Sequence, residues 1–235
     1  MYRASAAFMC IMSFLFPICS YATVTVYDVV GLQGENVTLT AETRGKFLRK
    51  GGQIVEFFVN DKSVGRSLSG GDGVAYRKTV IPRNGIHTVE AKSGGDVGKG
   101  IILSLRKGQK IILIEIESGL MDDIFFRRPR KGSQNAVNKL SKRYPLVFLQ
   151  SGLLSIEAAR TWLGENGFQN FPILRWKEGL IFDEIMDKGF KIKAIIGSKG
   201  VIQSAEKYRL KTFSFEEAEN AEEVRDWEEI IKKLR

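Results

Sequence analysis

KIILIEIE, residues 110–117, decides the fold: Ile111 to Ile114 are apolar without a break, so a strand here has no wet face. Strands that are apolar on both faces belong to parallel sheets covered on both sides. The residues that follow keep to that grammar. Helical patterns around Ser133–Arg143, Ile156–Asn166 and Leu180–Lys188 alternate with strand-like Pro145–Leu149 and Ile192–Ile196, then a short helix over Val201–Tyr208 and a brief strand at Lys211–Phe213. The expectation is a doubly wound, three-layer α/β domain with a parallel sheet over residues 108–235. Ser214 to Arg235 reads as a closing helix, with Ser214 and Glu217 as its capping box and Phe215, Ala218, Ala221, Val224, Trp227, Ile231 and Leu234 on one face.

Upstream the period changes from helical to two. Val37, Leu39 and Ala41 alternate with polar neighbours, as do Val55, Phe57 and Val59, and then Val89 and Ala91. Turn residues fall between these runs at Asn60-Asp61, at Gly70-Gly71-Asp72-Gly73 and at Asn84-Gly85. About seven short strands in residues 23–107 predict a β-sandwich. Only Arg106 to Gln109 separates the two patterns, which implies domains in rigid contact.

Residues 1–22 read as a cleavable leader: Arg3, an apolar run from Ala6 to Ile18 interrupted by Pro17, and small residues at Ser20 and Ala22. The run is shorter than the roughly 20 residues that span a bilayer. Cleavage near Ala22 would export the protein to the periplasm or the extracellular space. It would also remove both cysteines, Cys10 and Cys19, so the mature chain would have no disulfide and no thiol nucleophile.

The formal charge of +9 suits an anionic partner such as phosphate, a phospholipid or a cell-wall polymer. Export and the absence of a binding motif argue against nucleic acid. His87 is the only histidine, placed beside Val89 and Ala91 as a sandwich residue, so zinc sites and histidine-based nucleophilic triads are excluded.

Two resemblances arise from these residues. VTLTAE, IVEFFVNDKSVGRS and DGVAYRKTVIPRNGIHTVEAK resemble the strands of bacterial immunoglobulin-like domains over about residues 23–105, a likeness that speaks to fold and hardly to function. IILIEIESGL, PLVFLQSG, AARTWLGENGFQNFPIL and KIKAIIGSKGVIQSAEKYRLKTFSF resemble, in order, the motifs of the haloacid dehalogenase superfamily, closest to its capless lipin-like branch, over residues 110–235.

In that superfamily the first strand ends in an aspartate nucleophile and, two residues on, an aspartate acid/base. A Ser or Thr ends the second strand, a lysine balances charge, and acids after the fourth strand hold magnesium. Mapped by that resemblance, Glu115 stands at the nucleophile position, Glu117 at the acid/base position and Gly119 in place of the motif's threonine. Gln150 replaces the Ser or Thr, with Ser151 beside it as a substitute. Ser198 replaces the first metal-binding Asp, and Gln203 lies near the second. Lys177, Lys188 and Lys193 compete for the balancing role, and Asp122 and Asp123 are the candidates to rescue lost acids.

The extra methylene of Glu moves a carboxylate by roughly 1 Å, a displacement that costs on the order of a hundredfold in an in-line reaction. The substitutions together predict a degenerate site with no confident catalytic residue, no metal and no cofactor. Phe125 and Phe126 lead into a basic run, Arg127, Arg128, Arg130 and Lys131, in the turn-and-flap region of such domains. These cations are the candidate anion or phospholipid site. The expected function is an exported binding or structural protein that recognises an anionic ligand or a protein partner, with peripheral membrane contact within its range. The alternatives are a magnesium-dependent phosphatase or phosphodiesterase using Glu115 and Glu117, the one reading that brings in magnesium, and a spacer or assembly subunit.

Overall fold

The computed structural model describes residues 23–235 except 47, 82, 124 and 153. The expected leader at 1–22, with its expected cleavage point near Ala22, and Cys10 and Cys19 lie outside the described residues.

The first domain comprises β1 (Thr23–Tyr27), β2 (Val29–Leu32), β3 (Asn36–Arg44), β4 (Ile54–Val59), β5 (Lys62–Leu68), β6 (Val74–Val80), β7 (Gly85–Ser93) and β8 (Asp96–Leu105). They form two sheets, in the orders β1-β3-β6 and β2-β8-β7-β4-β5. This is a β-sandwich with one strand more than the sequence suggested, because the first run crosses between sheets at Asp28. β2 beyond it pairs parallel with β8, while the other pairs are antiparallel. Leu39, Ala41, Val55, Phe57, Val89 and Ala91 meet in the core between the sheets. Asn60 (φ 47°) and Asp61 (φ 64°) both take the left-handed conformation that a tight hairpin between β4 and β5 requires.

The second domain begins with β9 (Lys110–Glu115), a single π-helical turn at Ile116–Leu120, and a small hairpin of β10 (Met121–Asp123) and β11 (Arg128–Pro129). Then come α1 (Ser133–Ser141), β12 (Leu146–Gln150), α2 (Ile156–Glu165), β13 (Ile173–Arg175), α3 (Leu180–Asp187), β14 (Lys191–Ile196), α4 (Lys199–Ala205), β15 (Thr212–Ser214), β16 (Glu222–Glu223) and α5 (Trp227–Lys233). The sheet runs β13-β12-β9-β14-β15-β16, and every pair in it is parallel.

Alternation along the strands assigns the faces, interrupted once in β14, where the register against β9 shifts between Ile192 and Ala194. Ile112, Ile114, Leu146, Phe148, Ala194 and Ile196 pack with α1, α2 and α5. Ile111, Leu113, Val147, Leu149, Ile192 and Ile195 pack with α3, α4 and, from the sandwich, Val30, Leu103 and Leu105. The two domains therefore share one of the three hydrophobic cores among the described residues.

Three expectations are corrected. The strand expected through Glu117 stops at Glu115, because the backbone winds into the π turn, where Trp227 Nε1 donates to the Gly119 carbonyl at 3.2 Å. β13 and β16, each three residues or fewer, were too short to read as strands. The closing helix starts at Trp227 rather than Ser214. Thr212–Ser214 and Glu222–Glu223 extend the sheet, and Asn220 turns between them with φ 62°. The cap that forms is Asp226, which accepts the Glu229 amide at 3.0 Å, while Glu229 accepts the Arg225 amide at 3.2 Å. Of the expected stripe, Val224, Trp227 and Leu234 are buried; Phe215 and Ile231 pack at the margin, and Ile230 joins the core instead of Ala218 or Ala221.

Candidate functional site

β9 is the central strand at which the sheet order reverses, and crevices beyond the carboxyl ends of such strands are where open α/β sheets bind ligands. A cavity of about 630 Å³ opens at this point, lined among others by Glu115, Glu117, Ser151, Trp176, Ser198 and Glu216. Each side chain arrives from the end of a strand: Glu115 from β9, Ser151 just after β12 and Ser198 at the start of α4 after β14.

Glu115 is buried and its carboxylate is filled with donors. Oε2 accepts the Ser118 hydroxyl at 2.6 Å and the Ser198 amide at 2.5 Å, and Oε1 accepts the Ser198 hydroxyl at 3.1 Å and a short bond from Ser151 Oγ. Glu117, also buried, accepts the amides of Gly152 at 3.1 Å and Ser151 at 3.5 Å. Glycines make room for these longer acids. A Cβ on Gly197 would lie 2.9 Å from Glu115 Oε2, and one on Gly152 would lie 2.8 Å from Glu117 Oε1.

Burial pushes the Glu117 carboxyl above the usual carboxylate range, against the amides that hold it down and with Glu115 adding to the rise. A group that holds its proton more tightly folded than unfolded stabilises the fold at acid pH. That contribution is lost as the pH rises from the unfolded value to the raised one. Glu117→Gln abolishes the titration while keeping an acceptor for Gly152. The variant's melting temperature is expected to gain on the wild type as the pH climbs from about 4 towards neutrality. Thermal unfolding along a pH series tests this, and a variant that loses ground to the wild type as the pH rises would contradict it.

The remaining candidates are dispersed. Gln150 turns away, donating to the Gly152 carbonyl at 2.7 Å. Lys177 pairs with Glu184 at 2.9 Å, and Lys188, its pKa lowered by burial, donates to the Val30 carbonyl at 2.9 Å. Neither of them, nor Lys193 or Gln203, lines the cavity. Asp122 and Asp123 do line it, pairing with Arg130 at 3.4 Å and Arg128 at 3.6 Å.

Of the basic run only Arg130 reaches the lining; its guanidinium donates to the carbonyls of Ser118 at 3.2 Å and Met121 at 3.0 Å and lies 4.2 Å from the centre of the Phe215 ring. Arg127, Arg128 and Lys131 stay outside, so the cavity holds one cation against Glu115, Glu117, Asp122, Asp123 and Glu216. His87 is a structural sandwich residue, bonded to Asn60 at 2.8 Å and to the Arg83 carbonyl at 2.9 Å. Trp176 and Glu216 went unnoticed in the sequence because neither belongs to a motif; only the turns after β13 and β15 bring them to the cavity.

Magnesium, which the superfamily resemblance would bring with an active site, does not fit this donor set. Magnesium needs carboxylate oxygens with free lone pairs in near-octahedral array. Glu115 presents both oxygens to hydroxyl and amide hydrogens instead, and no group of three or more His, Cys, Asp or Glu among the described residues is arranged to hold a metal ion.

No family model and no curated protein matches the chain. Solved structures similar over about a third of it include a protein described as membrane anchored from Corynebacterium diphtheriae, at 22% identity and TM-score 0.32, covering 37% of this chain and 21% of that one. The D00-D0 domain of intimin matches at 19% identity and TM-score 0.28, covering 34% and 42%. A fibronectin(III)-like module of CbhA from Clostridium thermocellum matches at 19% identity and TM-score 0.26, covering 36% and 98%. The chain thus spans less than half of the first two. Its sandwich rests on the strand pairing described above. No helix among the described residues is long and apolar enough to cross a membrane.

Proposed function

We propose that this is an exported, non-catalytic binding protein, in which an immunoglobulin-like sandwich is fused rigidly to a haloacid dehalogenase-like domain whose reaction centre is filled by the chain's own carboxylates. The sheet order with β9 at its centre, the π turn after β9 and the hairpin that follows all support the superfamily reading. The leader pattern at residues 1–22 supports export.

The observation that carries the loss of chemistry is the capture of Glu115 by Ser118, Ser151 and Ser198. The hydroxyls and amides that would face a substrate's phosphoryl group are turned onto Glu115 and Glu117, and a nucleophile hydrogen-bonded on both oxygens has no lone pair aimed at an incoming phosphorus. Purified protein is expected to release no phosphate from p-nitrophenyl phosphate with or without magnesium. Turnover that disappears in Glu115→Gln would overturn the reading in favour of a working phosphatase.

A further inference from the structure

The tip of the β10–β11 hairpin presents two adjacent aromatic rings to solvent. Phe125 is 95% exposed and Phe126 78%. Their exposure is built into the turn. Asp123 Oδ1 accepts the amides of both phenylalanines, at 2.8 and 2.9 Å, and the Arg127 carbonyl accepts Trp162 Nε1 at 2.6 Å, pinning the far side of the turn to α2. Arg128, paired with Asp123 at 3.6 Å and 67% exposed at its side chain, lies 5.8 Å from the centre of the Phe126 ring, and Arg127 and Lys131 are exposed on the same short segment.

A second loop repeats the composition. RGKFLRK, residues 44–50, carries Leu48 at 78% exposure among basic residues. Arg49 pairs with Glu42 at 3.0 Å, Glu42 accepts the Tyr27 hydroxyl at 2.8 Å, and Arg175 donates to that same hydroxyl at 3.2 Å. These contacts tie the base of the loop to the carboxyl end of β13, on the carboxyl edge of the parallel sheet, beyond whose central strand β9 the hairpin also springs.

We infer that this edge docks on an anionic lipid surface, with Phe125 and Phe126 entering the interface and the neighbouring arginines meeting headgroup phosphates. Phe125 stands at the mouth of the cavity and both rings remain exposed, so neither is seated in the packed, water-excluding kind of pocket in which protein hot spots sit. Aromatic rings flanked by Lys and Arg match the depth profile of a bilayer interface, and the positive charge selects anionic headgroups. The inference rests on the binding reading and gives it a partner class.

The test is co-sedimentation of the full chain with vesicles of phosphatidylcholine alone and of phosphatidylcholine with an equal part of phosphatidylglycerol. Binding is expected only to the anionic vesicles and to fall with salt. Phe125→Ser with Phe126→Ser is expected to weaken it more than about tenfold. Arg127→Ala with Arg128→Ala is expected to weaken it roughly thirtyfold at low salt. Every variant shares residues 1–22, so differences between variants read the tip, and unchanged melting temperatures exclude misfolding.

Absence of vesicle binding, or binding that survives the serine substitutions, overturns the inference. So does a concentration-dependent dimer that those substitutions dissolve, since the rings would then meet a second copy. Phosphate release assayed on the same preparations keeps the two readings apart: failed vesicle binding without turnover removes only the membrane contact, whereas turnover removes the non-catalytic reading.

Discussion

Replacing Asp28 by alanine is expected to destabilise the whole molecule by about 4 kcal/mol and to lower its melting temperature by roughly 10 °C. The Asp28 side chain is wholly buried where the sandwich meets the α/β domain. One oxygen accepts the Ile101 amide at 2.7 Å and Arg160 Nη2 at 2.8 Å; the other accepts the Ile173 amide at 2.7 Å. β13 is an edge strand, so Asp28 supplies an acceptor that no neighbouring strand can offer the Ile173 amide.

Burial raises the Asp28 carboxyl's pKa in spite of Arg160 and the two amides. The ion pair as such therefore contributes little, and the expected cost comes from the Ile101 and Ile173 amides and the Arg160 guanidinium losing their shared acceptor. Asp28→Asn keeps one acceptor oxygen and should fall between wild type and alanine. Because Val30, Leu103 and Leu105 lie in the same core as the sheet residues Ile111 and Leu113, calorimetry should show a single transition that shifts without splitting. Two separate transitions in the wild type would contradict this account of the interface.

The sequence carried most of the architecture because the two hydrophobic periods are clean. Ile111 to Ile114 can only be buried on both faces, and Val37, Leu39 and Ala41 can only be buried on one. It misled where composition mimics another element. Ser214, Glu217 and an aromatic stripe satisfy the rules for a helix, yet Thr212–Ser214 finds β14, and the cap that wins is Asp226 with Glu229, twelve residues further on. That competition is decided by tertiary pairing, which local propensity does not encode.

At the site, the resemblance singled out Glu115, Glu117 and Ser198 by position, but nothing in the sequence told what these side chains do. Ser118, Ser151 and Ser198 lie on three separate segments and converge only when β9, β12 and β14 align. Arg127, Arg128, Arg130 and Lys131 looked like one basic cluster, but the hairpin turns Arg130 inward and leaves the others at the surface. Asp28, between two short strands and outside any motif, gave no warning of its role.

Glu115→Ala carries the second large effect, and its sign distinguishes a structural acid from a reactive one. A carboxylate kept for chemistry is held in a strained, destabilised setting, so removing it tends to stabilise the fold. Glu115 is held by four donors instead, and alanine would leave the Ser198 amide and the hydroxyls of Ser118, Ser151 and Ser198 around a void. A loss of about 3 kcal/mol is expected, since each buried donor left unpaired costs about 1–3 kcal/mol and hydroxyls recover part of that by rotating. Glu115→Gln keeps the volume and one acceptor for the Ser198 amide, so its loss should be the smaller of the two. Urea denaturation of the three proteins measures the order directly. If Glu115→Ala matched or exceeded the wild type in stability, the carboxylate would be a poised reactive group, and the proposal that it fills the site as an internal ligand would fail.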